Sequence, residues 1–115
     1  MRMHFQQTLH EFDLRLTEVC AATKIDTALE KQREIIRLLD DFTESIHTNK
    51  IDKDELIEIN NSLKDLLKDC VTNRNYLGDF NAVYEEQNDE IIEQIQSIIR
   101  KISRVLRKQI PRDDA

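Results

Sequence analysis

Apolar residues recur along the chain at alternating steps of three and four, the spacing that lines one face of an α-helix. Phe5, Leu9, Phe12, Leu16 and Val19 form the first run, and Thr23 continues its phase. A second seam passes through Leu29, Gln32, Ile36 and Leu39, widened by Ile35, Phe42 and Ile46. The third is the longest. Leu56, Ile59, Leu63, Leu66, Cys70, Asn73, Leu77, Phe80 and Tyr84 keep the spacing, Asn88 adds a second consecutive step of four, and Ile91, Ile95, Ile98, Ile102 and Val105 carry it on. Two fours in a row form a stutter, which unwinds a supercoil locally without breaking the helix.

Start signals divide the seams. Thr27-Ala28-Leu29-Glu30 has the form of a capping box, with Asp26 as an alternative N-cap. Asp52-Lys53-Asp54-Glu55 is a second start, and Ile51 with Leu56 would close a hydrophobic staple across it. Only Lys24-Ile25-Asp26 separates the first two helices, which favours an antiparallel hairpin. Beyond Asp52, the residues Asn73, Asn75, Gly78, Asp79 and Asn81 are poor helix formers. The apolar register nevertheless runs straight through them and no proline intervenes, so the pattern predicts one continuous helix, bent near Gly78. Ile110-Pro111 would end it, because a residue before proline avoids the α region. The expectation is an all-α domain spanning 1–115, a helical hairpin or bundle with helices at about 3–23, 27–47 and 53–109. At 1.5 Å per residue the last helix would be roughly 85 Å long and would overhang the hairpin.

Composition supports the all-α reading. One glycine and one proline cannot supply the turns of a β-rich or α/β domain. Leu, Ile, Val and Phe make up 34 of 115 residues, enough for a core despite the high charge. The charge is unevenly placed. From Arg100 onward six bases face Asp113 and Asp114, a net +4, which leaves −10 of the overall −6 on residues 1–99. An acidic body argues against nucleic acid as the partner of the whole fold. No apolar run is long enough for a membrane span, and the first residues lack the apolar core of a secretory signal. Cys20 and Cys70 lie on apolar stripes and read as two reduced core thiols of a cytoplasmic protein.

Candidate chemistry is sparse. Asp40, Asp41, Glu44 and His47 fall within two helical turns, and Glu44-x-x-His47 has the spacing found in di-iron bundles. Such sites need two of these motifs and two further inward glutamates, and neither His4 nor His10 follows a glutamate at that spacing. No Ser–His, Cys–His or glycine-rich phosphate arrangement is present, so neither catalysis, a metal nor a cofactor is expected.

What stands out is apolar width. Ile92, Ile99 and Leu106 form a second seam beside the first, as do Leu67 and Val71 further up. Together with Ile36 they are candidate partner-binding positions, since a short hairpin cannot cover so long a helix. Arg100, Arg104, Arg107 and Lys108 crowd one flank next to them. Lacking interleaved aromatics, this flank fits an acidic protein surface better than nucleic acid.

Leu16-Thr17-Glu18-Val19-Cys20-Ala21-Ala22-Thr23-Lys24-Ile25-Asp26, followed by Ala28-Leu29-Glu30-Lys31-Gln32-Arg33-Glu34-Ile35-Ile36-Arg37-Leu38-Leu39, is similar to the small flagellar type III export chaperones that escort the filament-cap protein. In that resemblance Ile25-Asp26 takes the short bulky-plus-acid link, while Leu29-Glu30, Arg33, Ile36 and Leu39 take the second-helix pattern. Leu66-Leu67, Asn73, Leu77, Ile91, Ile95 and Ile98 resemble the long apolar strip of the family's third helix. The resemblance implies a cytoplasmic, non-catalytic chaperone that holds an amphipathic helix of a secreted client in an apolar groove and hands it to the export machinery. The residues leave open two other readings, a self-associating coiled-coil subunit, dimeric or larger, and a small helical regulator.

Overall fold

The computed structural model describes the backbone of residues 2–48 and 50–109 and the side chains of 5–48 and 50–108. Four helices follow one another: α1 (Arg2–Ala21), α2 (Ile25–Thr48), α3 (Lys53–Thr72) and α4 (Ala82–Gln109). A single 3₁₀ turn at Tyr76–Gly78 lies between the last two, and the described residues contain no strand. The all-α bundle is therefore as expected, with α4 its longest helix.

The expected continuous helix over 53–109 does not form. It is broken at Asn73–Asn81, and α4 doubles back along α3. The body measures 56 Å along its longest axis, well short of the expected overhang. The break has a local cause. Asn75 caps the 3₁₀ turn by accepting from the Leu77 N–H at 2.9 Å, and Asn81 caps α4 by accepting from the Tyr84 N–H at 2.9 Å. Gly78 is buried beneath the ring of Tyr84.

The two hairpins lie side by side. Within each, the helices are antiparallel: Phe5 meets Phe42 edge-on with ring centroids 5.8 Å apart, and the Asn60 amide reaches the Ser103 hydroxyl at 3.5 Å. Between them, α1 runs parallel to α3, with Gln6 donating to Glu58 near one end and the Cys20 thiol donating to the Asn73 carbonyl near the other. Helix α2 packs likewise against α4, leaving α1–α4 and α2–α3 as the diagonals. The burial pattern repeats between the halves. Ala28, Gln32, Ile35, Leu39 and Phe42 in α2 are matched, each 56 positions later, by Tyr84, Asn88, Ile91, Ile95 and Ile98 in α4. Both helices thus place one amide within an otherwise apolar stripe. Gln32 is 1% exposed and donates to the Tyr84 carbonyl at 3.3 Å, while Gln87 donates to the Gln32 side chain at 2.9 Å.

The start of α3 follows the local signals closely. Asp52 accepts from the Glu55 N–H at 2.9 Å, and Ile51 and Leu56 are both buried. Helix α2 starts two residues earlier than the capping box implies. Its first turn closes with the Ala28 N–H on the Lys24 carbonyl, so Asp26 and Thr27 lie inside the helix. There Asp26 sits against the positive end of the helix dipole.

The two thiols differ, which corrects the expectation of two core cysteines. Cys70 is buried at 2% exposure and Cys20 is exposed at the α1 end. Burial and the nearby Asp69 push the Cys70 thiol up to about 12 from an ordinary 9.0. A thiol raised in the folded state stabilises it below pH 9, and that stabilisation is lost as the pH climbs toward about 12. At pH 8 a thiol reagent should therefore take one equivalent from the folded protein and two in urea. Between pH 9 and 11 the wild type should lose about 2 kcal/mol of stability that Cys70→Ala does not lose, the slope climbing from about half of the limiting 1.4 kcal/mol per pH unit to nearly all of it. Equal slopes in urea titrations of the two proteins would contradict this.

Candidate functional site

The partner-binding candidates from the sequence are distributed unequally. Ile36, Leu67, Ile92, Ile99 and Leu106 are half-buried and pack against the core, and only Val71 is mostly exposed. The second seam, left without cover in a lone long helix, is largely covered because α4 returns along α3. The Asn60–Ser103 contact sets the antiparallel register, which puts Leu67 and Val71 along the same α3–α4 seam as Ile92 and Ile99. Leu106 lies further toward the C-terminal end of α4. Ile36 stands apart, in a shallow groove between α2 and α4 with Val83.

A more enclosed site lies at the end of the bundle where α2 and α4 finish and α3 begins. An open pocket of about 300 Å³ is lined there by Ile46, Ile51, Leu56, Ile98, Ile102 and Val105. Each arrives for a separate local reason. Ile51 and Leu56 are the staple of α3, Ile98 and Ile102 continue the buried stripe of α4, and Ile46 ends the stripe of α2. Val105, 41% exposed, stands at the mouth. Thr43, His47, Lys50 and Lys101 complete the lining, and the two lysines place positive charge at the rim.

The basic flank read from the sequence adjoins this mouth. A helix turns about 100° per residue, so Lys101, Val105 and Lys108 share the pocket side of α4. Arg100, Arg104 and Arg107 occupy the neighbouring stripe. All four flank residues, Arg100, Arg104, Arg107 and Lys108, are exposed, and none forms an ion pair with another described residue. Three other cations are engaged in ion pairs. Arg15 contacts Glu11, Glu18 and Glu34, Lys31 contacts Glu18 and Glu34, and Arg74 meets Glu85 at 2.6 Å. Lys50, Lys101 and the adjoining flank thus place several unpaired cations beside this apolar opening.

Glu44 and His47 are exposed near the end of α2, and no group of three or more His, Cys, Asp or Glu among the described residues could hold a metal ion. No helix among those residues is long and apolar enough to cross a membrane.

The pocket was missed by sequence reasoning, although most of its residues had been placed on seams or in the staple. Their convergence depends on α4 doubling back. A second missed feature lies at the opposite end, where Phe80 leaves the seam and is fully exposed, with Tyr76 79% and Val83 47% exposed nearby. No protein-family profile, curated protein or solved structure matches the chain.

Proposed function

We propose that this chain is a non-catalytic cytoplasmic export chaperone, one that holds an amphipathic helix of a secreted flagellar client. The observation that carries this reading is the apolar end pocket with Lys50 and Lys101 in its lining and the exposed basic flank of α4 beside it. A helix docking in a groove is held by a few apolar side chains spaced along one face. The pocket accepts such anchors through Ile98, Ile102 and Val105, while acidic residues on the client's flank meet Lys101, Arg104 and Lys108. Desolvation of the apolar anchors supplies most of the affinity. The exposed pairs contribute about 0.2–1 kcal/mol each and chiefly speed capture. The resemblance to the filament-cap chaperones, carried by the α1–α2 hairpin and the apolar strip, supports the choice of client class.

The test is co-purification from flagellated cells that express the protein naturally. A tagged chain should recover one flagellar axial subunit, and Val105→Glu, which places a carboxylate at the pocket mouth, should lose it. Changing Arg100, Arg104, Arg107 and Lys108 to Glu should slow capture, most visibly at low salt. Recovery of the same subunit by wild type and Val105→Glu alike would refute the pocket as the binding site.

A further inference from the structure

Phe80 is the single described non-glycine residue with a positive φ, at 68°. That conformation is unfavourable for an aromatic residue. Its side chain gains nothing from the fold in return, being fully exposed. The turn therefore holds a phenyl ring out into water at the end of the molecule remote from the pocket. Its neighbour in the chain is acidic. Asp79 precedes it, Glu86 lies on the first turns of α4, and the nearby Arg74 is already paired with Glu85.

The opposite end offers the complement. Its pocket, at about 300 Å³, is twice the ~150 Å³ cavity that suffices for benzene. Lys50 and Lys101 at its rim make no ion pair with another described residue. One chain thus carries an acidic aromatic knob and a basic apolar hole at the two ends of a 56 Å body.

The geometry points to a second copy of this chain as an occupant of the pocket: Phe80 of one molecule enters the opening of the next, with Asp79 against Lys50 and Lys101. The inference rests on the pocket assigned above to the client helix, and adds that another copy covers it while no client is bound. Knob and hole are different surfaces, so the contact is heterologous and copies add head to tail instead of closing as a symmetric dimer. Pairing two knobs would set the Asp79 of one copy against that of the other. A contact of one ring and its surroundings is small, which makes the association weak and reversible.

Sedimentation of the full chain over a concentration series tests this. The wild type should gain weight-average mass with concentration, less so at high salt. Phe80→Asn keeps a residue that tolerates the left-handed backbone and removes the knob; Val105→Glu blocks the hole. Both are exposed positions, so the folded helix content of each variant should match the wild type. Each variant alone should remain at the 13.6 kDa monomer. An equimolar mixture should form dimers and grow no further, because the knob of one variant fits the hole of the other. A wild type that stays monomeric, a Val105→Glu protein that still self-associates, or a mixture that yields no dimer would each overturn the inference. Client capture is read separately: Phe80→Asn should retain it. Capture without self-association refutes the second copy alone, and self-association without capture refutes the chaperone reading alone.

Discussion

Gly78→Ala should lower the stability of the protein by about 3 kcal/mol, at the upper end of what forcing an extra methyl into a packed core costs. The backbone of Gly78 is not in the left-handed region, so space and not φ demands glycine here. A Cβ at this position would lie inside the Cγ, Cδ1 and Cε1 atoms of Tyr84. That ring is 1% exposed and its hydroxyl accepts from the Asn75 N–H at 3.1 Å, so it cannot swing away cheaply. The sign of the effect is what matters. In a continuous helix over 53–109, the same substitution would stabilise by about 1 kcal/mol, since alanine is the better helix former. Urea denaturation of the two proteins decides between the folds.

Asn75→Ala should be comparably damaging, again by about 3 kcal/mol, because it leaves several buried groups unpaired at once. The Asn75 amide donates to the carbonyls of both Val19 and Ala22 at 2.8 Å, and its oxygen accepts from the Leu77 N–H. One side chain thereby ties the end of α1 to the turn between α3 and α4, and so joins the two hairpins. Asn73→Ala is the control. Asn73 is exposed and its amide makes only a long contact with Asp69, so the loss should stay within about 0.5 kcal/mol. Hydrogen exchange should report faster opening at the C-terminal turn of α1 in Asn75→Ala and no change there in Asn73→Ala.

Local signals in the sequence were reliable where the interaction is itself local. The Asp52 cap and the Ile51–Leu56 staple join residues within five positions, and both are present as read. The break between α3 and α4 was hidden by an arithmetic coincidence. Cys70 is the last buried residue of α3 and Tyr84 the first of α4, and 84 − 70 is 14, twice seven. A turn that consumes two whole heptads leaves the apolar phase unchanged, so periodicity cannot register it. The composition of the segment did carry the signal. Asn73, Asn75, Gly78, Asp79 and Asn81 are turn and cap residues, and Asn75 and Asn81 act as caps.

The site was less legible than the fold for a related reason. Ile46, Ile51, Ile98 and Val105 come from three parts of the chain that meet only because α4 reverses beside α3. Ile92, Ile99 and Leu106 looked uncovered for the same reason and are half-buried against the core. The basic flank was readable in advance, since Arg100, Arg104 and Arg107 lie on one stripe of any helix.

The central claim, that the end pocket receives a client helix, is tested most directly by calorimetric titration. The purified chain would be titrated with synthetic C-terminal segments of the flagellar axial subunits encoded in its own genome. Expected is one segment that binds with micromolar or tighter affinity and that Val105→Glu weakens by about tenfold or more, equivalent to at least about 1.4 kcal/mol. Phe80→Asn, at the far end, should bind the same segment as wild type does. No binding by any segment, or binding that Val105→Glu leaves unchanged, would contradict the claim.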